Sequence, residues 1–575
     1  MGAESAEPTL DKSSLGNHGQ ENSIDSPPTT DGSQQGAQET EKRDLAVEYP
    51  NTIRQVLIII GLMLGMFLAG LDISIIATAI PAITSEFNSL SQEGWYGSAF
   101  FLCYGAFQSV WGKAYKFFDM KYVFICALFW FEVGCLICAL APNSAALIVG
   151  RAVQGGGAAG LLLGCYTIPN FIVPPNRVPA VVGLIGTVFS IASIIGPLLG
   201  GVFTSNITWR WCFYVNLPIG AVPFFFTLLF FKTPAHAKAS YNTPLPEVIK
   251  SFDLLGLLLY LSALICYFLA LSWGGVIFAW NDSKVIGTLV GWVLLTILFV
   301  ANEIWMGERA LFVLRLLKNR DLLAGCLYLF FIYGAFFSFV YNLPVYFQAT
   351  AGLSPQDSGI RTIPIICACS IVTFVASPLM AKYGYYLPYF FVGAAITAVS
   401  GGLTYTFDIE TSIGKQVGYQ ILMGFGTGLV LQIPPIIAGV VTSNADKAVG
   451  LSVVLITQFY TASLVLAASS AITNNLLVKN IPIYAPAVNP EDVFSVGAFD
   501  LQNHFSGVDL YGIRQAYIVG LRGAWALGIA LFGVAFLTVF VVKWPGKMVP
   551  HSDVATNQEG AKTNESGEKV IESAA

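Results

Sequence analysis

Long blocks of consecutive apolar residues constrain this sequence more than any other feature. They run for about twenty residues, the length at which a helix rising about 1.5 Å per residue crosses a hydrocarbon core of roughly 30 Å. Charged residues make up only 11% of the chain, whereas soluble globular domains carry roughly 25%. Too little polar surface is available to coat a water-soluble particle, so the sequence predicts an all-α polytopic membrane protein.

Fourteen membrane-spanning helices are predicted from the positions of these blocks. The predicted spans are 55–81, 95–113, 122–141, 145–172, 179–204, 211–231, 253–273, 285–306, 322–348, 360–382, 387–406, 416–441, 450–478 and 517–542. This number fits two six-helix bundles plus two inserted central helices, and paired bundles are typical of secondary transporters. The predicted divisions are a disordered N-terminal tail (1–50), a first six-helix bundle (51–231), two extra helices with linkers (232–321), a second bundle (322–542) with an external loop (479–516), and a C-terminal tail (543–575).

The residues between the spans predict how the chain lies in the membrane. Lys and Arg in the short connections are concentrated on the side that holds both termini, and this bias marks the cytoplasmic side. We expect no cleavable signal peptide, because about fifty polar residues precede the first span. All 10 Cys lie in apolar segments, where Cys behaves as a small buried hydrophobe. We therefore expect no disulfide framework, no metal site and no cofactor, and no residue cluster suggests an enzyme.

Three ionisable residues inside the predicted spans are candidates for proton coupling. Asp72 and Arg151 lie at similar depth when counted along their helices, and a charge at a helix centre costs roughly 2.5–3.5 kcal/mol unless it is paired. Desolvation favours a neutral carboxyl and a nearby cation favours the carboxylate, so Asp72 could bind and release a proton. Glu132 is a second proton or substrate candidate. Alternatively, Asp72 only caps or packs a helix, Arg151 extends to the membrane surface, and Glu132 is a neutral, hydrogen-bonded acid that holds helices together. Glu303, near a span end, is expected to extend to the membrane surface.

Several motifs occur in the order known from one transporter family. The first half contains LDISIIATAIP (71–81), GKAYKFFDMKYVF (112–124), FEVG (131–134), GRAVQGGGAAG (150–160), GPLLGG (196–201) and WRWCFYVNLPIG (209–220). The second half contains YNLPVYFQATAGLSP (341–355), SGIRTIP (358–364) and GFGTGLVLQIPP (424–435). Over roughly residues 50–545, the chain resembles the major facilitator superfamily, in its fourteen-helix drug:proton antiporter group and the fungal branch of mycotoxin efflux pumps.

The resemblance implies a set of small residues that let helices pack closely and rock. The expected gating and packing residues are Gly112, Gly183, Gly196, Pro197, Gly200 and Gly201. The sequence departs from the family pattern at two positions. Ala192 replaces a glycine in the fifth helix, and Lys116 stands where the superfamily has an Asp. The resemblance therefore does not imply the usual salt bridge at this loop.

Polar and aromatic residues within the spans are candidates for a substrate cavity. The candidates are Gln108, Gln154, Tyr166, Asn170, Tyr341, Asn342, Gln432 and Gln458. Any one of them could instead be a satisfied contact between helices. Many aromatics and few charges predict a large, mostly apolar site, which suits a hydrophobic and largely neutral organic molecule.

The resemblance implies a proton-coupled exporter of a secondary metabolite, mycotoxin or xenobiotic that works by alternating access. We expect a monomer in the plasma membrane, or in a vacuolar or vesicular membrane, that contacts substrate, protons and lipid but no nucleic acid. An importer of siderophore-iron or nutrients with the same fold is the main alternative, and a membrane sensor or membrane enzyme is a further one. GPLLGG and WRWCFYVNLPIG favour efflux. Asn206 and Asn281 head weak glycosylation sequons.

Overall fold

The computed structural model of this chain describes residues 49–87, 93–234 and 244–541. The predicted N-terminal tail, apart from its last two residues, and the predicted C-terminal tail lie outside the described residues. The described residues form helices joined by short connections. They contain no β-strand, only an isolated bridge between Gly274 and Phe278. The prediction of an all-helical protein is confirmed.

The described helices fall into three groups along the chain. The first group, called the first half here, comprises α1 (Thr52–Phe87), α2 (Glu93–Phe117), α3 (Met120–Ala139), α4 (Ser144–Thr167), α5 (Pro169–Ile172), α6 (Val178–Asn206), α7 (Trp211–Tyr214) and α8 (Asn216–Phe230). The inserted group comprises α9 (Leu245–Ser251), α10 (Leu254–Trp273) and α11 (Ser283–Met306). The second half comprises α12 (Arg320–Ala351), α13 (Pro355–Tyr383), α14 (Leu387–Tyr405), α15 (Ile413–Gly428), α16 (Ile433–Val441), α17 (Lys447–Tyr484), α18 (Pro490–His504) and α19 (Gly507–Thr538).

Short polar residues and glycine determine where several of these helices begin and end. The side chain of Asn143 accepts a hydrogen bond from the Ala146 N–H at the start of α4, and Asn319 accepts one from the Leu322 N–H at the start of α12. These bonds satisfy donors that have no partner within the helix. Gly352 ends α12 with a φ of 63°, a left-handed conformation that glycine adopts at no steric cost.

Thirteen helices among the described residues are long and apolar enough to cross a membrane. They correspond to all the predicted spans except 95–113. That segment is helical too, as part of α2, which is 25 residues long. Polar residues such as Gln108, Ser109 and Lys113 reduce its apolar character, and all three are buried against other helices. Each of the fourteen predicted spans therefore lies on helical residues, and thirteen of the spans are apolar enough to cross a membrane.

The two halves repeat the same helix packing. In the first half α1 packs on α6 and α8, α3 packs on α4 and α8, and α2 packs on α4. The corresponding contacts in the second half join α12 with α17 and α19, α14 with α15 and α19, and α13 with α15. The halves meet along two helix pairs, α2 with α17 and α6 with α13. These two pairs form most of the seam between the halves.

Glycines let α4 pack closely between α2 and α3. An added methyl group at Gly155 would collide with the backbone of Phe100 on α2, and one at Gly157 would collide with the backbone of Phe131 on α3. The indole N–H of Trp111 reaches the Gly156 carbonyl at 2.7 Å. Without a hydrophobic driving force between helices in lipid, such close backbone packing supplies much of their association.

The inserted pair packs mainly on itself and lies at the side of the seam. Helix α10 packs along α11 and contacts both α2 and α17. The ring of Tyr260 on α10 lies 5.6 Å from that of Tyr460 on α17. Only 11% of the most apolar stretch of α11 is buried within the protein. This helix therefore presents most of its surface to the membrane.

Glu303 is wrongly predicted to extend to the membrane surface. It is buried, and its carboxylate accepts hydrogen bonds from the backbone N–H groups of Leu311, at 3.2 Å, and Phe312, at 2.6 Å. The chain turns back after α11, so these donors return to the side chain. Proximity to a span end did not indicate this turn.

The predicted external loop is mostly helical. Helix α17 continues to Tyr484, α18 spans Pro490–His504, and α19 begins at Gly507. The hydropathy of a sequence marks where a helix leaves the hydrocarbon, whereas its backbone hydrogen bonds can continue beyond that point. Residues 479–516 thus contain the end of α17, all of α18 and the start of α19.

Candidate functional site

Asp72 and Arg151 form a buried ion pair in the first half. Asp72 on α1 is 0% exposed and Arg151 on α4 is 1% exposed, and Arg151 Nη1 lies 2.5 Å from Asp72 Oδ2. The guanidinium also donates from Nε to the Tyr96 carbonyl at 3.0 Å, and it stacks 4.4 Å from the Phe100 ring centroid. Three groups on two neighbouring helices, α1 and α2, therefore orient this one cation.

Gln154 completes the network one turn along α4. Its Nε2 donates to Asp72 Oδ1 at 2.6 Å and to Cys135 Sγ on α3 at 3.0 Å, and its Oε1 accepts from Arg151 Nη1 at 2.7 Å. Both carboxylate oxygens of Asp72 thus have partners. Removing one partner of a buried pair leaves an uncompensated charge, which is strongly unfavourable. Loss of the Asp72 charge by protonation would disturb the whole network. Gln154, predicted to line a substrate cavity, belongs to this network.

Glu132 lies one turn from Cys135 on α3, close to the same network. Both of its carboxyl oxygens are buried and have no hydrogen-bond partner among the described residues. Its carboxyl group fills the space over Gly220 on α8. Asn216, one turn earlier on α8, is fully buried, and its amide likewise has no partner among the described residues. Unpaired buried polar groups are costly, and such groups cluster at functional sites.

A second feature, the seam cavity, lies between the two halves. It encloses about 410 Å³ of space that no atom fills, part of which is open to solvent. Helices α4, α6, α12, α13 and α17 and the turn between α15 and α16 contribute its walls. The residues that line it are Leu162, Tyr166, Gly186, Phe189, Ser190, Tyr333, Thr373, Leu431, Gln432, Gln458 and Phe459. No charged side chain is among them.

The polar groups of the seam cavity are amides, hydroxyls and phenols. Gln432 Nε2 donates to the Tyr166 hydroxyl at 3.2 Å, while Gln432 Oε1 has no partner among the described residues. The Tyr333 hydroxyl and the Gln458 amide also line the cavity. Because Tyr166 belongs to the first half and Gln432 to the second, their hydrogen bond links the halves. The cavity can therefore offer both donors and acceptors to a neutral molecule.

The other predicted cavity residues lie elsewhere. Asn170 donates to the Tyr166 carbonyl and packs against Gly439 of the second half. Asn342 donates to the Ser338 carbonyl and to Ser469, which is a satisfied contact between α12 and α17.

Gln108 and Tyr341 do not line the seam cavity either. Gln108 is fully buried on α2, and neither of its amide atoms has a partner among the described residues. Tyr341 is 37% exposed and stacks on Phe337 at 5.9 Å. Sequence reasoning missed Tyr333, Phe189 and Phe459, because aromatic residues occur throughout the spans and nothing marks those that face the seam.

The seam cavity and the Asp72 network are separate sites. Gln154 and Tyr166 both lie on α4, twelve residues apart in the sequence, which corresponds to about 18 Å along a helix. Phe189 nevertheless links the two regions, because it lines the cavity and also packs against Gly70, two residues before Asp72.

Some predicted gating residues lie at helix crossings. An added methyl group at Gly112 would lie 2.6 Å from Ser452 Oγ of α17, and one at Gly183 would lie 2.7 Å from Ser377 of α13. Both glycines thus lie on the seam.

The remaining predicted gating residues belong to α6. Gly196 packs against Ser74 of α1, and Gly359 of α13 approaches Pro197. Gly200 is buried, whereas Gly201 is partly exposed.

The WRWCFYVNLPIG segment holds helix ends of the first half together. Trp209 Nε1 donates to Glu86 at 2.6 Å, and Arg210 donates to Glu86 at 2.9 Å and to the Ala141 carbonyl at 3.2 Å. The Trp209 hydrogen bond, reinforced by Arg210, holds the pKa of the Glu86 carboxyl below its usual range. Both sequon residues, Asn206 and Asn281, are exposed.

Comparisons with known proteins agree on one family. The model described as "Major Facilitator Superfamily" matches residues 62–468. The chain is 40% identical to an MFS-type transporter of Penicillium sp, over 88% of this chain and 90% of the relative. It is 40% identical to a probable efflux pump of Penicillium aethiopicum, over 90% and 92% respectively. It is 35% identical to the dehydrocurvularin exporter of Aspergillus terreus, over 93% and 94%.

Solved structures share the fold. The human organic anion transporter TETRAN is 13% identical, with a TM-score of 0.57 and coverage of 84% of this chain and 99% of that one. A bacterial homologue of the lysosomal transporter Spinster is 14% identical, with a TM-score of 0.52 and coverage of 86% and 98%.

Proposed function

Because this chain belongs to the Major Facilitator Superfamily, we propose that it exports a hydrophobic and largely neutral organic molecule, a secondary metabolite or xenobiotic, by alternating access. Relatives that match most of its length are named efflux pump and exporter. The single observation that carries the proposal is the seam cavity, which both halves line with aromatic and uncharged polar groups.

The cavity supports transport by rocking of the halves. It lies at the seam, so opening the seam at one end or the other exposes it to one side of the membrane at a time. Its hydrogen bond between Tyr166 and Gln432 joins the halves. A substrate that replaces this bond would contact both halves, and its release would let them separate again.

The Asp72 network is the proposed site of proton coupling. When Asp72 is charged, it holds Arg151 and Gln154 together. When it takes up a proton, the charge-assisted bonds weaken, and Arg151 is left to seek another partner. Glu132 is the proposed second proton group, with Asn216 as a neighbouring amide that could hydrogen-bond either form.

The energy available from one proton suffices for export. A proton crossing 100 mV supplies about 2.3 kcal/mol, and each pH unit adds about 1.36 kcal/mol, which corresponds to a tenfold gradient. We further propose a monomer with both termini on the cytoplasmic side of the plasma membrane, as the distribution of Lys and Arg favours.

The test measures uptake of dehydrocurvularin, the cargo named for one relative, into everted membrane vesicles. With the interior acidified by one pH unit, the native chain should accumulate the compound about tenfold per coupled proton. Asp72→Asn keeps the shape of the side chain but cannot cycle between charge states, so accumulation should fall to a ratio of about one. A panel of other neutral aromatic compounds extends the test if this cargo is not recognised.

The matched control is Glu410→Gln, which neutralises an exposed acid outside the network and should leave accumulation unchanged. Full accumulation by Asp72→Asn would contradict the coupling assignment while leaving export intact. Accumulation only in right-side-out vesicles with an acidic exterior would show import and contradict the proposed direction.

A further inference from the structure

The segment that joins the inserted helices to the second half, residues 307–319, lies against α2. We call this segment the connector. Lys113 Nζ of α2 donates to the Arg309 carbonyl at 2.5 Å, and Ser109 Oγ of α2 donates to the Leu311 carbonyl at 2.8 Å. Lys113 is 3% exposed. Glu303 holds the same stretch from the other side through the N–H groups of Leu311 and Phe312. The connector is therefore fastened to the first half.

The connector also takes part in an ion-pair network that crosses the seam. Lys116 Nζ, at the end of α2, lies 2.7 Å from Asp446 Oδ1, immediately before α17. Arg315 of the connector lies 2.9 Å from Asp446 Oδ2 and 2.7 Å from Glu308 Oε1. Asp446 is thus shared between a cation of the first half and a cation of the connector.

This network supplies a salt bridge where the sequence pattern did not imply one. Lys116 occupies the position at which the superfamily has an acid, so the charge on α2 is reversed. The opposite charge is provided by Asp446 across the seam. Directly beside these groups lies a small cavity, lined by Lys113, Lys116, Asp446 and Val449 among others. The seam at this end is closed by charge pairs over a small void, as well as by packing of Gly112 on Ser452.

We propose that the connector of the inserted helix pair is the third member of a latch, formed with Lys116 and Asp446, that holds α2 against α17 at this end of the seam. The proposal rests on the alternating-access part of the proposed function and is independent of the cargo. The inserted pair thereby gains a role beyond lipid contact, since it carries Arg315 to the point where the halves meet. When the halves separate here, Asp446 must leave both cations.

The strength of the latch suits a reversible closure. Its ion pairs are partly exposed, with side-chain exposure of 23% for Lys116, 12% for Asp446 and 50% for Arg315. Pairs of this kind change an equilibrium by up to about fivefold each. A latch of this strength can hold the closed state and still release within a transport cycle.

The test measures how fast a thiol reagent reaches the closed end of the seam. The full chain carries Val449→Cys, a position that is 4% exposed and lines the small cavity, and it is purified in lipid nanodiscs so that the maleimide reaches both faces. The chain without this substitution gives the background from native Cys. Asp446→Asn and Arg315→Gln should each raise the labelling rate about fivefold. Lys318→Gln, on the same connector without an ion pair among the described residues, should leave it unchanged.

A charge swap separates a three-member latch from a simple pair. A double variant that combines Lys116→Asp with Asp446→Lys restores the ion pair across the seam. It also places the new Lys side chain against Arg315. Labelling should stay fast in this double variant and slow again when Arg315→Glu is added. An unchanged rate in Arg315→Gln, or full recovery by the double swap alone, would overturn the role of the connector. Because labelling requires no transport, failure of the export proposal would leave these rates unaffected.

Discussion

Buried amides divide into those that are satisfied within the protein and those that keep a free atom. Gln154 uses its amide fully within the Asp72 network, whereas Gln432 is bonded to Tyr166 and its oxygen, in the seam cavity, has no partner among the residues that the structure describes. Leaving a buried acceptor without a partner costs about 1–3 kcal/mol. A substrate that donates a hydrogen bond to this oxygen would recover that cost, so Gln432 should matter more for affinity than for stability.

The residue-scale prediction concerns Gln432→Met. This substitution keeps the length of the side chain and removes both polar atoms. Stability of the unliganded protein should change little, because the unpartnered oxygen is gone but the bond to the Tyr166 hydroxyl is lost as well, while KM for the transported compound should rise about tenfold. Thermal unfolding and vesicle transport measure the two effects. Gln420→Met is the control, since Gln420 also has a buried unpartnered oxygen but lies outside the cavity. It should raise Tm without changing KM. Equal KM in both variants would exclude substrate contact at Gln432.

Among the helices, α4 is the one whose close packing depends most on glycines. It carries Arg151 and Gln154 at one level and Tyr166 at another, so its position relative to α2 and α3 sets both proposed sites. The three successive glycines after Gln154 face different neighbours. The outer two lie against the backbones of Phe100 and Phe131, and the middle one, Gly156, faces only side chains at ordinary contact distance.

The element-scale prediction compares alanine at these three glycines. Gly155→Ala and Gly157→Ala place a methyl group into a neighbouring backbone, which cannot yield as a flexible side chain could, so each should destabilise the protein by about 1–3 kcal/mol. At Gly156 the methyl group would lie 3.6 Å from Phe107 and Trp130, an ordinary contact, so Gly156→Ala should be tolerated. Thermal unfolding in detergent measures the series. Equal loss at all three positions would mean that helix propensity, rather than close approach, decides the effect.

For the whole molecule, the two halves are held by bonds that differ in kind at different levels of the seam. Tyr166 and Gln432 link them by a neutral hydrogen bond at the cavity, and Lys116 and Asp446 link them by charge. The charged link alone depends on pH. Burial would by itself raise the pKa of Asp446, but the hydrogen bonds and charges of Lys116 and Arg315 outweigh it and hold the pKa below its usual range.

The whole-molecule prediction is therefore a pH profile. A carboxyl group whose pKa is lowered by folding contributes stability above its ordinary pKa, and loses it as the pH falls through the lowered value. The difference in Tm between the native chain and Asp446→Asn should be constant from about pH 8 to about pH 5 and shrink only below about pH 4. Glu308, which also faces Arg315, keeps its bond in both proteins.

A double-mutant cycle provides the control for this profile. In a Lys116→Gln background the effect of Asp446→Asn should be smaller, because one of the two cations is already gone. If the Tm difference instead disappears between about pH 7 and about pH 5, the carboxylate is not held by these cations, since its protonation would then occur above the usual range for Asp.

Local properties of the sequence determined the fold class and much of the proposed proton site. The length and apolarity of each block predicted the helices, because crossing hydrocarbon requires a fixed number of apolar residues with satisfied backbones. The cost of an unpaired charge in the same environment indicated that Asp72 and Arg151 need partners. Neither prediction depends on how one helix is rotated against another. The family resemblance could also be recognised from the sequence, because its motifs are short local patterns spread along the chain.

The tertiary structure alone decided which polar residues meet. Tyr166, Gln432 and Gln458 line the seam cavity, while Asn342 is used between α12 and α17, although all looked alike as polar residues within spans. Lys116 and Asp446 are 330 residues apart, and no motif connects them. Such contacts depend on the rotation and register of each helix, which are set by close packing with its neighbours across the whole molecule, so a change that shifts one helix changes them all.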